Sequence, residues 1–421
     1  MNEYKLYKGG VTVRIAIIGG GASGLACAIE ASQTAANLNK KVQITVFEAK
    51  DRVGKKLLAT GNGRCNMMNT YEDVRYFGDS DFAEKVLCKY DVKSNLDFFS
   101  KLGLYTRTDE EGRVYPLSNQ ASGVLDSLRF ECERLGIEFV TDNEIKSISK
   151  KGDFFVLNGS NNFDKVVIAC GSAAQVKGFC GYELLISLGH TVTKLAPSLT
   201  KLTVTNPQKL RTLKGLRQRC EVNLFIDNRK VTTEKGEILF ADYGLSGIAI
   251  MQLSSFVARH FMKNRTLPVV SVDLVPDYDE DFITNTLLRL CKRNPEGEAG
   301  NLLSGFMPKR IGEAVMKDCG IKKDTLFKTV NEKDIKRLSK LVKSWSFEIN
   351  GTKDFSDAQV VSGGAVCSEF YSETLMSKKH KGLYCCGEIL DVDGPCGGYN
   401  LQWAWSSGRL CGKSLIEGEG K

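Results

Sequence analysis

Apart from Arg14, Val13–Ile18 is a short apolar run rich in β-branched residues. Such a run predicts a strand covered on both faces, as in a parallel sheet. A glycine cluster follows, then Leu25–Ala36, whose small and apolar residues suit a helix packed tightly on that sheet. Val42–Phe47 alternates Val42, Ile44 and Val46 and predicts a second strand ending at Glu48. From about 80 to 135 the pattern is helical with loops, and Asp126–Gly136 reads as a helix closed by a C-terminal glycine. Short strands are expected at Phe139–Thr141, Ile145–Lys150, Phe154–Leu157 and Lys165–Ala169.

Near Lys194 the texture changes. Leu199–Val204, Arg219–Ile226, Lys230–Thr233 and Val269–Leu274 read as antiparallel strands, with polar turns between them. Asp279–Lys292, Pro308–Asp318 and Asn331–Lys343 carry apolar residues at helical spacing and predict three amphipathic helices. After Phe355 the glycine-rich, strand-like character returns. This pattern predicts one discontinuous domain, residues 1–193 and 355–421, split by two inserts. The inserts are a β-rich module at 194–277 with 345–354 and a helical module at 278–344.

Composition narrows the function classes. At roughly 150 residues per domain, 421 residues predict about two or three domains with ample core and no need of disulfides or metals. Lys and Arg number 58 against 50 Asp and Glu, a net of +8, and the basic residues are scattered without a concentrated stripe. Scattered charge predicts a solvated surface and no nucleic-acid partner. No run approaches the ~20 apolar residues of a membrane helix, and the start of the chain has no signal-peptide pattern. Fourteen cysteines include no Cys-x-x-Cys pair, and the histidines are three, His190, His260 and His380. The expectation is reduced thiols, no metal site and a cytoplasmic location.

Four motifs carry chemistry. Gly19-x-Gly21-x-x-Gly24 lies between a strand and a helix, with Glu48 closing the next strand. Gly19 serves a tight turn, Gly21 lets backbone approach a pyrophosphate, and Gly24 permits close helix–strand packing. The helix N-terminus adds free N–H donors at Ala22 and Ser23, and Glu48 is placed to accept from ribose hydroxyls. A second pair of strands, ending at Ala169 and Gly171 and at Gly387 and Glu388, should bring its carboxyl ends to the same place. A third stretch holds Lys56, Gly61, Asn62, Gly63, Arg64, Cys65 and Asn66, and suits phosphate or a flavin edge. The fourth, Gly397-Gly398 leading into Asn400, Leu401 and Gln402, is a glycine turn opening a helix expected at Asn400–Leu410. No Ser-His-Asp arrangement is evident in the sequence.

These motifs resemble a family of single-chain NAD(P)/FAD-dependent oxidoreductases of the aminoacetone-oxidase type, a family that also resembles bile-acid Δ4,6-reductases. The strings 58–66, 387–394 and 397–400 carry the likeness, with Ile15–Gly24, Gly112–Gly123, Gly236–Ser254 and Ala358–Gly412 extending it along the chain. Ile248 stands where the family pattern often has proline. The resemblance implies an α/β fold: a discontinuous Rossmann-type FAD-binding domain with inserted β-barrel-like and helical modules. It implies bound FAD at the residues above, with Ile145 among them, and a small-molecule substrate. NAD(P)H is expected as a transient electron donor, although the lack of a second glycine fingerprint disfavours a stable nicotinamide domain. The leading expectation is reduction of a conjugated double bond in a 3-oxo steroid or bile-acid dienone. An amine oxidase forming hydrogen peroxide, or a non-catalytic flavin protein, are the alternatives. Proton-donor candidates are Tyr115, Tyr243, Tyr399 and Glu388.

Overall fold

A computed structural model of the chain describes residues 12–176, 178 and 181–418; the N-terminal segment considered for a signal peptide lies outside them. Contacts divide the chain into one unit of residues 1–195 with 360–421 and a second of 196–359.

In the first unit, five parallel strands run in the order Leu383–Cys385, Lys165–Ile168, Val13–Ile18, Val42–Phe47 and Glu138–Val140. Chain ends separated by hundreds of residues thus become neighbours in one sheet. The last four residues of Val13–Ile18 are buried, as a doubly covered strand requires. Helix Ala22–Asn37 packs against the C-terminal helix Tyr399–Glu417. Their backbones touch where glycine removes a side chain. A Cβ at Gly408 would lie 2.4 Å from Ser23 O, and one at Gly412 2.4 Å from Cys27 O. A three-stranded antiparallel sheet, Ile148–Lys151, Phe154–Leu157 and Asn161–Phe163, completes the Rossmann-type arrangement.

The second unit is a closed antiparallel barrel of six strands: Leu202–Val204, Gly244–Ser246, Arg229–Ala241, Arg217–Ile226, Val269–Asp273 and Trp345–Thr352. Helices Glu280–Arg293, Lys309–Asp318 and Glu332–Lys343 share one apolar core with the barrel. Two elements here differ from expectation. The Lys230–Thr233 strand extends to Ala241, because Glu234, Lys235 and Glu237 are paired along the neighbouring strand despite their polarity. The helix Ile248–Lys263 has no counterpart among the expected elements. Ile248 is its first residue and 59% exposed, so a position often held by proline tolerates isoleucine at small cost. Among the described residues, no helix is long and apolar enough to cross a membrane.

A hydrogen-bonded line that sequence spacing hid fastens two loops of the first unit. His190 Nδ1 lies 2.8 Å from Glu369 Oε2, and its Nε2 lies 2.9 Å from Ser377 Oγ. Burial resists the charge on Glu369, but bonds from Lys379, Thr191 and His190 outweigh it and hold the carboxyl at about 2. The ionised carboxylate therefore accepts a hydrogen bond from Nδ1–H, and Ser377 donates to Nε2. Ser377 is 1% exposed, and its oxygen also accepts from the backbone N–H groups of Lys379 and His380. This Ser-His-Glu line is a structural clamp, with its hydroxyl shielded from any substrate.

Glu369 gains stability above its unfolded pKa and loses it as pH falls toward 2. Burial depresses the His190 pKa, and that stability also fades below the unfolded histidine value. Glu369→Gln should lower the melting temperature at pH 7 by about 2–4 °C for each kcal/mol lost. Thermal scans should find the gap to wild type shrinking as pH falls from about 4.5 to about 2. A gap of constant size across that range would contradict the clamp.

Candidate functional site

The strand ends of the parallel sheet gather the glycine motifs. Gly19 has a φ of +112°, and a Cβ there would lie 2.5 Å from Ala169 O. Gly24 would place a Cβ 1.9 Å from Gly19 O, so the helix can approach the turn only as glycine. Gly21 differs: nothing lies within 4 Å of the point where its Cβ would stand, which leaves open space in front of the helix N-terminus. Gly171, at φ +74°, faces similar space. The turn thus combines tight packing behind with clearance in front, as a pyrophosphate requires. Ala22 and Ser23 open the helix, and the N–H groups of its first turn are the natural anion donors.

Glu48 sits at the end of its strand, where Oε2 accepts from Gly20 N at 3.0 Å and Oε1 from Lys50 N at 2.9 Å. These bonds fix the carboxylate beside the glycine turn and leave lone pairs for ribose hydroxyls. Asn143 N donates to Glu48 O, and the buried Ile145 follows two residues later.

Glu388 comes from the far end of the sequence. Its Oε2 accepts from Lys56 Nζ at 2.8 Å and Ser172 Oγ at 3.1 Å. One carboxylate therefore ties together three distant motifs, and Ser172 is a member that sequence reasoning missed. Its polarity next to Gly171 was the available signal. The pairing gives Glu388 a bracing contact between these motifs.

The loop at 60–66 is bent by successive left-handed residues: Gly61, Asn62, Gly63 and Cys65 all have positive φ. Such turns expose backbone N–H groups to an anion. Arg64 stacks on the Tyr115 ring at 5.4 Å, opposite Arg107 at 5.2 Å. Burial pushes the Cys65 thiol up to about 12, so this cysteine is packing and not a reactive thiolate. Asn66 Oδ1 is buried without a protein partner, an acceptor waiting for an N–H.

At the fourth motif, Gly398 (φ +105°) caps helix Tyr399–Glu417. The Asn400 side chain is spent on its own loop, bonding Gly394 N and O at 2.8 Å each and Pro395 O at 3.3 Å. Only its backbone N–H and that of Leu401 remain for a ligand. Gln402 Oε1 accepts from Asn69 N at 3.3 Å.

The proton-donor candidates divide. Tyr115 is wedged between two guanidiniums, and the Tyr399 hydroxyl donates to Tyr71 O at 3.1 Å. Tyr243 belongs to the barrel unit, where the Lys353 ammonium lies 4.6 Å from its ring and that of Lys201 6.0 Å. Burial raises its hydroxyl above the usual range against the pull of Lys201, so the group keeps its proton at neutral pH.

The residues fit FAD. The glycine turn has room for a pyrophosphate, Glu48 suits a ribose, and the orphaned Asn66 oxygen suits a ring N–H.

The family described as HI0933-like protein Rossmann domain matches residues 13–414. The chain is 33% identical over 412 residues to the 3-dehydro-bile acid delta(4,6)-reductase of Clostridium scindens, covering 96% of this chain and 99% of that one. It is 30% identical over 413 residues to the ribosomal RNA dihydrouridine synthase of Escherichia coli, covering 95% and 97%. Among solved structures it is similar to Sdh1 of Mycobacterium smegmatis, at 12% identity and a TM-score of 0.46, covering 98% of this chain and 70% of that one. The chain belongs to the HI0933-like family of Rossmann-domain proteins and is, within it, an FAD-dependent oxidoreductase.

Proposed function

We propose that this enzyme reduces a carbon–carbon double bond conjugated to a carbonyl, with NAD(P)H as the electron source. The full-length likeness to the Clostridium scindens protein carries the reading, since that relative is named for reduction of 4,6 double bonds in a 3-oxo compound. The Escherichia coli relative is named for dihydrouridine formation, which saturates the 5,6 bond of uracil beside its carbonyl. The two names share one chemistry: addition of hydrogen to an electron-poor alkene.

When bound, FAD supplies the hydride. The protein's share is binding, orientation and a proton. The first-turn N–H groups after Gly21 offset pyrophosphate charge, and Glu48 holds the ribose. The Lys56–Glu388–Ser172 contact keeps the two ends of the sheet in register around the ligand. The absence of a second glycine fingerprint from the sequence suits a nicotinamide that docks and leaves.

Our first substrate class is a 3-oxo steroid or bile-acid dienone. A second reading, a uridine within RNA, is favoured by where the charge lies. Residues 196–359 hold 27 Lys and Arg against 20 Asp and Glu, so +7 of the chain's +8 sits in the inserted unit. That concentration attracts phosphate backbones.

Anaerobic mixing separates these readings. The purified enzyme should bleach with NADH or NADPH and regain its colour with a 3-oxo-4,6-dienone. Recovery only with uridine-containing RNA would move the assignment to the second reading. Bleaching by aminoacetone, with peroxide formed in air, would overturn both. Glu48→Ala should weaken FAD retention about tenfold to a hundredfold, the worth of a charge-assisted hydrogen bond. Full FAD occupancy after extensive dialysis would remove Glu48 from this role.

A further inference from the structure

Behind the glycine turn, on the side away from its open face, three cysteines from remote parts of the chain meet. Cys27 lies on helix Ala22–Asn37, Cys386 follows strand Leu383–Cys385, and Cys411 lies on helix Tyr399–Glu417. Their sulfur atoms are all within 4.8 Å of one another, and all three residues are 0% exposed. Cys386 is also hydrogen-bonded to Ser23. Among the described residues this is the group of three or more cysteine, histidine or acidic side chains close enough to share one ion.

We propose that Cys27, Cys386 and Cys411 form a binding site for one thiophilic divalent d10 cation of the zinc(II) class. Geometry comes first. Zinc bonds sulfur at about 2.3 Å, which sets tetrahedral sulfur–sulfur edges of about 3.8 Å. Edges no longer than 4.8 Å close to that value with shifts of an ångström or less. The supporting backbone is rigid, because Gly408 and Gly412 bring the two helices into contact on either side of Cys411.

Charge then selects the ion. Binding strips the protons from coordinating thiols, and three buried thiolates repel one another strongly. A divalent ion leaves a net charge of −1 and a monovalent ion −2, so the divalent ion suits an apolar interior better. Sulfur ligands exclude magnesium and calcium, which take oxygen. Full burial means that the ion enters as the chain folds. Sequence spacing concealed the site, since Cys27 and Cys386 are 359 positions apart.

The test is metal analysis of the FAD-loaded holoenzyme produced in zinc-supplemented medium. Wild type should hold about one zinc per chain, and Cys27→Ala, Cys386→Ala and Cys411→Ala should each lose it. Cys220→Ala, a buried cysteine of the barrel unit, should keep it. Should the alanine variants fail to accumulate, wild type produced with cadmium must show a thiolate-to-cadmium charge-transfer band in the ultraviolet. A folded, FAD-containing wild type with negligible zinc and no such band would overturn the site. So would zinc content that all three substitutions leave untouched.

Discussion

The missing side chain at Gly19 and Gly24 is the constraint on which the first unit depends. A strand, a turn and a helix must converge so closely that a single methyl at either position would collide with backbone at 2.5 or 1.9 Å. That closeness places the helix N-terminus at the end of the sheet. The same device recurs at Gly408 and Gly412, where the C-terminal helix presses on the first. Backbone contact of this kind is unforgiving, because no rotamer change relieves it. It explains how motifs more than 350 residues apart in sequence come together: they flank strands of a single parallel sheet, with two helices locked together by backbone contact.

Polar contacts set the details that close packing leaves open. The carboxylate of Glu388 finds Lys56 and Ser172, and that of Glu48 finds two backbone N–H groups. Their contacts differ: Glu48 is held by backbone N–H groups beside the glycine turn, whereas Glu388 braces two distant side chains. The clamp through His190 plays a comparable bracing part elsewhere in the same unit.

Local pattern was enough for much of this. The strands Val13–Ile18 and Val42–Phe47 and the three insert helices agree with the structure to within a residue or so. Their signals are short-range: apolar runs, helical spacing and caps. What escaped detection depends on tertiary context. The middle of strand Arg229–Ala241, with Glu234, Lys235 and Glu237, is polar and is held by ladder pairing. Helix Ile248–Lys263 lies in a stretch whose apolar residues also suit a strand. Asn400 reads as a ligand contact because it opens a helix, yet its amide closes the loop beside it. Ser172, the His190 line and the three-cysteine group depend on contacts across 179 to 384 positions, which no local periodicity encodes.

The charge division gives the two units different characters, with the dinucleotide unit near neutrality at +1 and the barrel unit at +7. The account as a whole depends on the first unit holding a flavin, and FAD stoichiometry of the freshly purified chain measures that most directly. A yellow protein carrying about one FAD per chain is the expected result. A correctly folded, colourless protein that takes up no added FAD would contradict it.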